Sequence, residues 1–314
     1  MRNKTANKKK SMLLKSPIRD KNGGLATQNL VNQQALVRKV CIAIPTTGLL
    51  RVEWVMARYS CVIPVNWSNG DIYQYHRQDG PKNYVVADAR NICVEFSISN
   101  NFEWTLFNDQ DTLLPNDTFL KLGEYMREMK YPVVCGLYYC KGSTPEPLIF
   151  RGRGNGYYHK WKFGDKVEVD GIPMGCTLIH NSVLKAVYDE SEVYSVPSQY
   201  GPVTVRRVFE TPRNSWQDPE TGKYNSQGGT EDIPWCDRVI RDKILVKAGW
   251  KEIAKKKYPF LCDTSIFCQH IDNNGVRYPG YGYRNYVQYK DSKLEKLEKQ
   301  RKPFNVASTK GSQY

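Results

Sequence analysis

The sequence predicts an α/β fold, a sheet flanked by helices in a single domain, on three observations. Short β-branched runs ended by Pro or Gly alternate with segments of 3.6-residue apolar period. The order strand, helix, strand, helix, strand fills roughly a hundred residues, the pattern of a sheet with right-handed crossovers. The chain of 314 residues is long enough to bury a sizeable core, and it has no apolar run of membrane-span length.

Residues 1–36 are rich in Lys, Asn, Gln and Gly and lack apolar periodicity, which predicts a basic mobile arm. "VRKVCIAIPTTG", 37–48, has the β-branched, Pro-ended character of a buried strand. A second apolar run starts at Tyr59. In 85–101 the period changes: Ala89, Ile92, Cys93 and Phe96 share a helical face. "EWTLFND" then predicts a strand, and Pro115 with Asn116 or Asp117 opens a helix whose apolar face is Phe119, Leu122, Met126 and Met129. Residues 131–140 return to strand, and 141–170 read as irregular. "VDGIPMGCTLIHNSVLKAVYD", 169–189, reads as turn, strand and helix. The polar stretch 195–229 reads as a long loop of the kind that serves as a functional flap. Residues 230–243 predict a helix with Thr230 as N-cap and Ile233, Cys236 and Ile240 on one face. A last strand is expected within 258–272, and 273–314 form a Tyr/Gly- and Lys-rich extension. The domain is thus expected to span 37–272.

The net charge of +14 sits at the two ends. Residues 1–39 hold ten Lys+Arg and one acid, and residues 277–314 hold nine and three. The 27 basic and 28 acidic residues between them nearly cancel. Such ends are either solvated tails that aid solubility or contacts to a polyanion, whether nucleic acid or an anionic surface. The nine cysteines form no C-x-x-C pair, which predicts reduced core thiols rather than a zinc or redox motif. "MLL" is too short for an export-signal core, so a cytoplasmic location is expected.

The chemistry concentrates in "FNDQDT". Asp109 and Asp111 stand at a strand end, where ligands bind in open α/β sheets. Two neighbouring carboxylates disfavour each other's ionisation unless positive charge compensates. In extended backbone, residues two apart face one side, so the pair is expected to hold a hard divalent cation jointly. The alternative is a pair of solvated loop acids.

The order of the pieces resembles glycosyltransferases of the GT-A fold, close to the family 2 type, over about Val40 to Asp272. The motifs that carry the resemblance are "IAIPTTG", "ADARN", "FNDQD", "GIPMGCTLIHNSVL", "TEDIPWCDRVI" and "SIFCQH", in that order. The resemblance implies a Rossmann-like mixed sheet and a metal-dependent enzyme. It implies a nucleotide-diphosphate sugar as donor, Mn²⁺ or Mg²⁺ as cofactor, and a glycan, nucleic acid or other hydroxyl compound as acceptor. Pro45, Thr46 and Thr47 would border the nucleotide, and Asp88 and Arg90 would help hold the base and diphosphate. Asp109 would lie near ribose and sugar, and Asp109, Asp111 and His270 would form the metal and diphosphate set. Glu231 and Asp232 would face the acceptor, with Asp232 as general base.

Each role has a structural rival. Glu231 and Asp232 suit the first turn of a helix through its dipole. Arg90 would serve as a surface residue paired with Asp88 or Glu95, and His270 as a structural histidine. Tyr157, Tyr158, Trp161 and Trp216 suit either stacking on a sugar or ordinary packing. Two other functions fit the same features: a nucleotidyltransferase, which would carry a Gly-rich phosphate loop after the first strand where this chain has "TTGLLR", and a non-catalytic polyanion-binding protein on a degenerate enzyme fold.

Overall fold

The computed structural model describes residues 38–64, 72–75, 85–152, 156–197, 201–217, 219–228 and 230–280. The expected N-terminal arm, and the C-terminal extension beyond residue 280, lie outside the described residues.

The chain runs β1 (Arg38–Ala43), α1 (Val52–Tyr59), β2 (Ile72–Tyr75), α2 (Val86–Ser99), β3 (Phe102–Asn108), β4 (Thr112–Leu113), α3 (Thr118–Glu128) and β5 (Val133–Leu137). It continues through β6 (Lys166–Val169), β7 (Cys176–His180), α4 (Asn181–Asp189), β8 (Val193–Val196), β9 (Val203–Arg206), β10 (Arg213–Gln217) and β11 (Tyr224–Gly228). It ends in α5 (Asp232–Arg241), the one-turn helices α6 (Ile244–Lys247) and α7 (Lys251–Ala254), and strands β12 (Phe260–Phe267), β13 (Gln269–Ile271) and β14 (Arg277–Tyr278).

The α/β sheet expected from the sequence is present as a mixed, seven-stranded sheet in the order β2-β1-β3-β7-β5-β12-β6. β1 pairs in parallel with β2 and β3, and β5 in parallel with β12. β7 is antiparallel to both β3 and β5, and β6 is antiparallel to β12. Alternation along each strand sends side chains to two cores. Phe107, Val133, Cys135 and Ile179 enter one, and Trp104, Leu106, Val134 and Leu178 the other. Strands buried on both faces read as nearly unbroken apolar runs, which is why β3, β5 and β7 were legible. All nine cysteines are free thiols and eight are buried. No helix among the described residues is long and apolar enough to cross a membrane.

Several expected details are corrected. A helix, α1, occupies 52–59, where the sequence reading placed none. In α2 the buried face is Ala87, Arg90, Asn91, Cys93, Val94 and Ser97, with Ile92. Ala89 and Phe96 are only partly buried, because this helix packs on the sheet on one side and on the β8–β9 hairpin on another. Met129 lies past the end of α3 in the left-handed region (φ 51°) and is exposed, while Tyr125 takes its place in the core. The irregular 141–170 stretch contains edge strand β6. The expected flap at 195–229 contains β9 and the β10–β11 hairpin, and β9 pairs with β8 in a second hairpin. The cap of α5 is Glu231 rather than Thr230.

The sheet topology explains where a site can form. The parallel strands β1, β3, β5 and β12 all deliver their carboxyl ends to one edge. From that edge come the Pro45–Thr47 turn, the Asp109–Asp111 turn, the Tyr139–Lys141 loop and His270.

Candidate active site

At the end of β3 the backbone does not stay extended. Thr112 N–H donates to the Asp109 carbonyl at 3.0 Å, closing a tight turn over Asp109, Gln110 and Asp111. The turn is stapled by the Asn108 side chain, whose Nδ2 donates to the Thr112 carbonyl at 3.1 Å, and by the Trp54 indole, which donates to the Asp109 carbonyl at 2.7 Å. Both carboxylates border one cleft, and each meets its own cation.

Asp109 meets Arg90. The guanidinium donates through Nη1 to Asp109 Oδ1 at 2.9 Å and through Nη2 to Oδ2 at 2.8 Å. Its Nε donates to Glu231 Oε1 at 2.6 Å. Arg90 is 1% exposed and Glu231 5%. A bidentate, charge-assisted contact of this kind is among the strong ones. Arg90 is thus neither a surface residue nor paired with Asp88 or Glu95. Asp88 instead accepts a hydrogen bond from the Tyr194 hydroxyl of β8 at 2.6 Å. Burial drives the Asp109 carboxyl upward in pKa, against the pull of Arg90. For Glu231 the balance reverses: Arg90 outweighs burial and holds it below its usual range.

Asp111 meets Lys141 and His270. Lys141 Nζ lies 2.5 Å and His270 Nε2 3.3 Å from the same oxygen, Asp111 Oδ2. Burial raises this carboxyl, but His270 and Lys141 outweigh it and hold its pKa at about 2. His270 Nδ1 lies 3.0 Å from the Tyr139 carbonyl, which only accepts, so Nδ1 carries the proton. Nε2 is left to face Asp111, with a proton in the imidazolium and with a free lone pair once that proton has gone. An imidazole lone pair beside a carboxylate oxygen, with the tautomer fixed by a backbone carbonyl, is the donor set of a divalent cation. Asp111 and His270 fit Mn²⁺ or Mg²⁺ as two protein ligands, the remaining positions falling to water and phosphate oxygens. Asp109, expected as a third ligand, has both oxygens on Arg90. Among the described residues, no three or more His, Cys, Asp and Glu side chains cluster as a metal cage.

The middle residue of the turn was missed by sequence reasoning. Gln110 Oε1 accepts from Thr47 N–H at 2.8 Å and from the Thr46 hydroxyl at 2.9 Å. It ties the turn after β1 to the turn after β3. The signal was present in the D-x-D spacing itself, since the residue between the acids had to point elsewhere. The cleft they enclose, about 150 Å³, is lined by Pro45, Thr46, Thr47, Val86, Ala89, Asp109, Gln110 and Asp111. It gathers all three turn residues expected at the nucleotide together with both acids. A larger cavity of about 790 Å³, between α1 and the β4–β13–β14 ribbon, includes none of the candidate residues.

The two acids expected to face the acceptor stand at the start of α5. Trp235, 1% exposed, stacks on Phe209 at 5.6 Å and on Phe260 at 6.2 Å, which fixes the first turn of the helix. Burying such a ring contributes on the order of 2–3 kcal/mol. Asp232 accepts from Met174 N–H at 3.2 Å. Burial and the neighbouring Glu231 push its pKa to about 7. Met174 belongs to the "GIPMG" turn, where a Cβ on Gly175 would lie 2.5 Å from Thr112 Oγ1 and 2.6 Å from the Tyr138 hydroxyl. Phe150 and Ile233 both border Gly171, so Phe150 lies near the start of α5. Tyr158 and Trp161 are half-buried against the core, and the Tyr157 ring lies 5.6 Å from Phe150. The side chain of Trp216 lies outside the described residues.

No family model matches the sequence, and no curated protein does. Solved structures show partial likeness. A197 from STIV aligns with TM-score 0.44 and 17% identity, over 76% of this chain and 88% of that one. S. aureus TarS 1-349 aligns with TM-score 0.31 and 11% identity, over 50% of each chain; it has also been solved in complex with UDP-GlcNAc. A putative glucose-1-phosphate thymidylyltransferase from Bacillus anthracis aligns with TM-score 0.25 and 11% identity, over 48% of this chain and 74% of that one. With TM-scores this low, the functional reading rests on the geometry of the site.

Proposed function

We propose that the protein is a glycosyltransferase of the GT-A type, which moves a sugar from a nucleotide-diphosphate donor to an acceptor hydroxyl. One observation carries the reading. The carboxyl ends of the parallel strands bring Pro45–Thr47, Asp109, Asp111 and His270 to one edge, and Arg90 ties Asp109 to Glu231 at the start of α5.

The turn at Pro45–Thr47, latched by Gln110, borders the nucleotide. Asp109, held still by Arg90, lies where ribose and sugar hydroxyls can donate to it. Asp111 and His270 hold Mn²⁺ or Mg²⁺, which when bound neutralises charge developing on the leaving diphosphate. Asp232, with a pKa of about 7, is matched to take the acceptor proton near neutral pH. Met174 N–H orients its carboxylate. Glu231, locked on Arg90, keeps a fixed negative charge beside Asp232 and so sustains its basicity. A polyanionic acceptor suits the basic ends of the chain.

The test is donor turnover. The protein is mixed with a panel of nucleotide sugars and Mn²⁺, and released nucleoside diphosphate is measured. Release from at least one donor, lost in Asp232→Asn with an acceptor present, is expected. A folded protein that turns over none leaves a binding protein on an enzyme fold.

A further inference from the structure

Lys141 has no role in the proposed transfer, yet it lies on Asp111, one of the two residues of the candidate cation site. Its Nζ lies on Asp111 Oδ2, the same oxygen that His270 Nε2 faces. An ion held by Asp111 Oδ2 and His270 Nε2 would put a second cation on the carboxylate oxygen that the ammonium already engages. The two cations compete for one place.

The end of β5 is built for such a competition. The Tyr139 carbonyl fixes His270, and Cys140 N–H donates to the Glu146 carbonyl at 2.9 Å, so the backbone on either side of the loop is anchored. Lys141 itself projects from that frame on an unbranched stem, 35% exposed, with Asp111 as its ion-pair partner. Its head is free to leave while the frame stays. Ion pairs this exposed are weak, so a divalent ion can displace the ammonium.

We propose that Lys141 is a positioning residue that gates the cation site: it holds Asp111 until the divalent ion binds, then turns its ammonium onto the donor diphosphate. The inference rests on reading Asp111 and His270 as the cation site. Its consequence is that ion and diphosphate bind in concert, because the ion frees the lysine that the phosphate oxygens then take.

The test uses the full chain, Mn²⁺ and inorganic pyrophosphate, with binding followed by calorimetry and by the paramagnetic resonance of free Mn²⁺. In Lys141→Gln, Mn²⁺ alone is expected to bind roughly three- to tenfold tighter than in the unaltered protein, since a competing unit charge is gone. Pyrophosphate at saturating Mn²⁺ is expected to bind several-fold weaker. A merely structural lysine would not shift the two affinities in opposite directions. Failure of either shift, with Asp111→Asn still abolishing Mn²⁺ binding, overturns the gate and leaves the cation site standing. Unchanged Mn²⁺ binding in Asp111→Asn overturns the cation site, and the gate with it.

Discussion

Arg90 grips Asp109 with both terminal nitrogens, at 2.9 and 2.8 Å, from a position that is 1% exposed. The same guanidinium holds Glu231 through Nε. One buried cation thereby joins the end of β3 to the start of α5. Removing it would leave both carboxylates without the cation that pairs them. Arg90→Met is expected to lower unfolding stability at pH 7 by roughly 3–5 kcal/mol, measured in urea, because uncompensated buried charge is costly. Arg90→Lys, which cannot make the fork, is expected to lose much of the same. A loss under 1 kcal/mol in both would mean that the acids do not depend on Arg90.

Asp111 differs from Asp109 in its dependence on the fold. Its charged partner Lys141 and the carboxyl itself are 35% and 36% exposed, so Asp111→Asn is expected to cost no more than about 1 kcal/mol at pH 7 without metal. The same substitution is expected to abolish Mn²⁺ binding. The native carboxyl, held at about 2, contributes stability that is complete above the ordinary Asp range near pH 4. That contribution is lost as pH falls from about 4 through 2. Thermal melts of the two proteins across that window are expected to converge at the acid end, and parallel curves would contradict the ion pair.

Asp232 has the opposite sign. Its folded pKa, about 7, lies above the unfolded value, so its ionisation costs stability as pH rises from about 4 to 7. Asp232→Asn is expected to raise the melting temperature at pH 8 by a few degrees. As a general base it must be deprotonated, so kcat/KM is expected to rise about tenfold per pH unit below 7 and level off above it. The substitution is expected to cut turnover roughly 10²–10⁴-fold. A more stable variant with full activity would remove Asp232 from the chemistry.

Gly175 sits where the "GIPMG" turn passes the Asp109–Asp111 turn, and Asp109 N–H donates to its carbonyl at 3.0 Å. A methyl group there meets Thr112 Oγ1 and the Tyr138 hydroxyl at 2.5 and 2.6 Å. Gly175→Ala is expected to destabilise the protein by about 1–3 kcal/mol and to weaken Mn²⁺ binding by displacing the turn. Intact stability and metal affinity would show that the two turns move independently.

The elements legible in the sequence were those whose burial writes a pattern. β3, β5 and β7 are apolar on both faces, and α4 and α5 carry a stripe. The hairpins were hidden because β10 and β11 are polar in sequence and resemble a loop in composition, while β8 and β9 are only four residues each. Helix α1 was hidden because it leaves Val52, Met56 and Tyr59 exposed and buries Trp54, so its apolar residues do not form one inward stripe. At the site, the acids and the first turn were legible from their spacing at strand ends. The partners were not. Arg90 looks like any helical arginine until the fold buries it, and Lys141 is one lysine among many until β5 carries it to Asp111. Gln110 was the exception that periodicity could have found.

The most direct measurement is an anomalous difference map from crystals of the full chain soaked with Mn²⁺ and a nucleotide sugar. A manganese peak between Asp111 and His270 is expected, with the diphosphate against it and the nucleotide over Pro45–Thr47. A manganese peak elsewhere, or a nucleotide bound away from that cleft while Lys141 stays on Asp111, would contradict the assignment of the strand ends as a donor site.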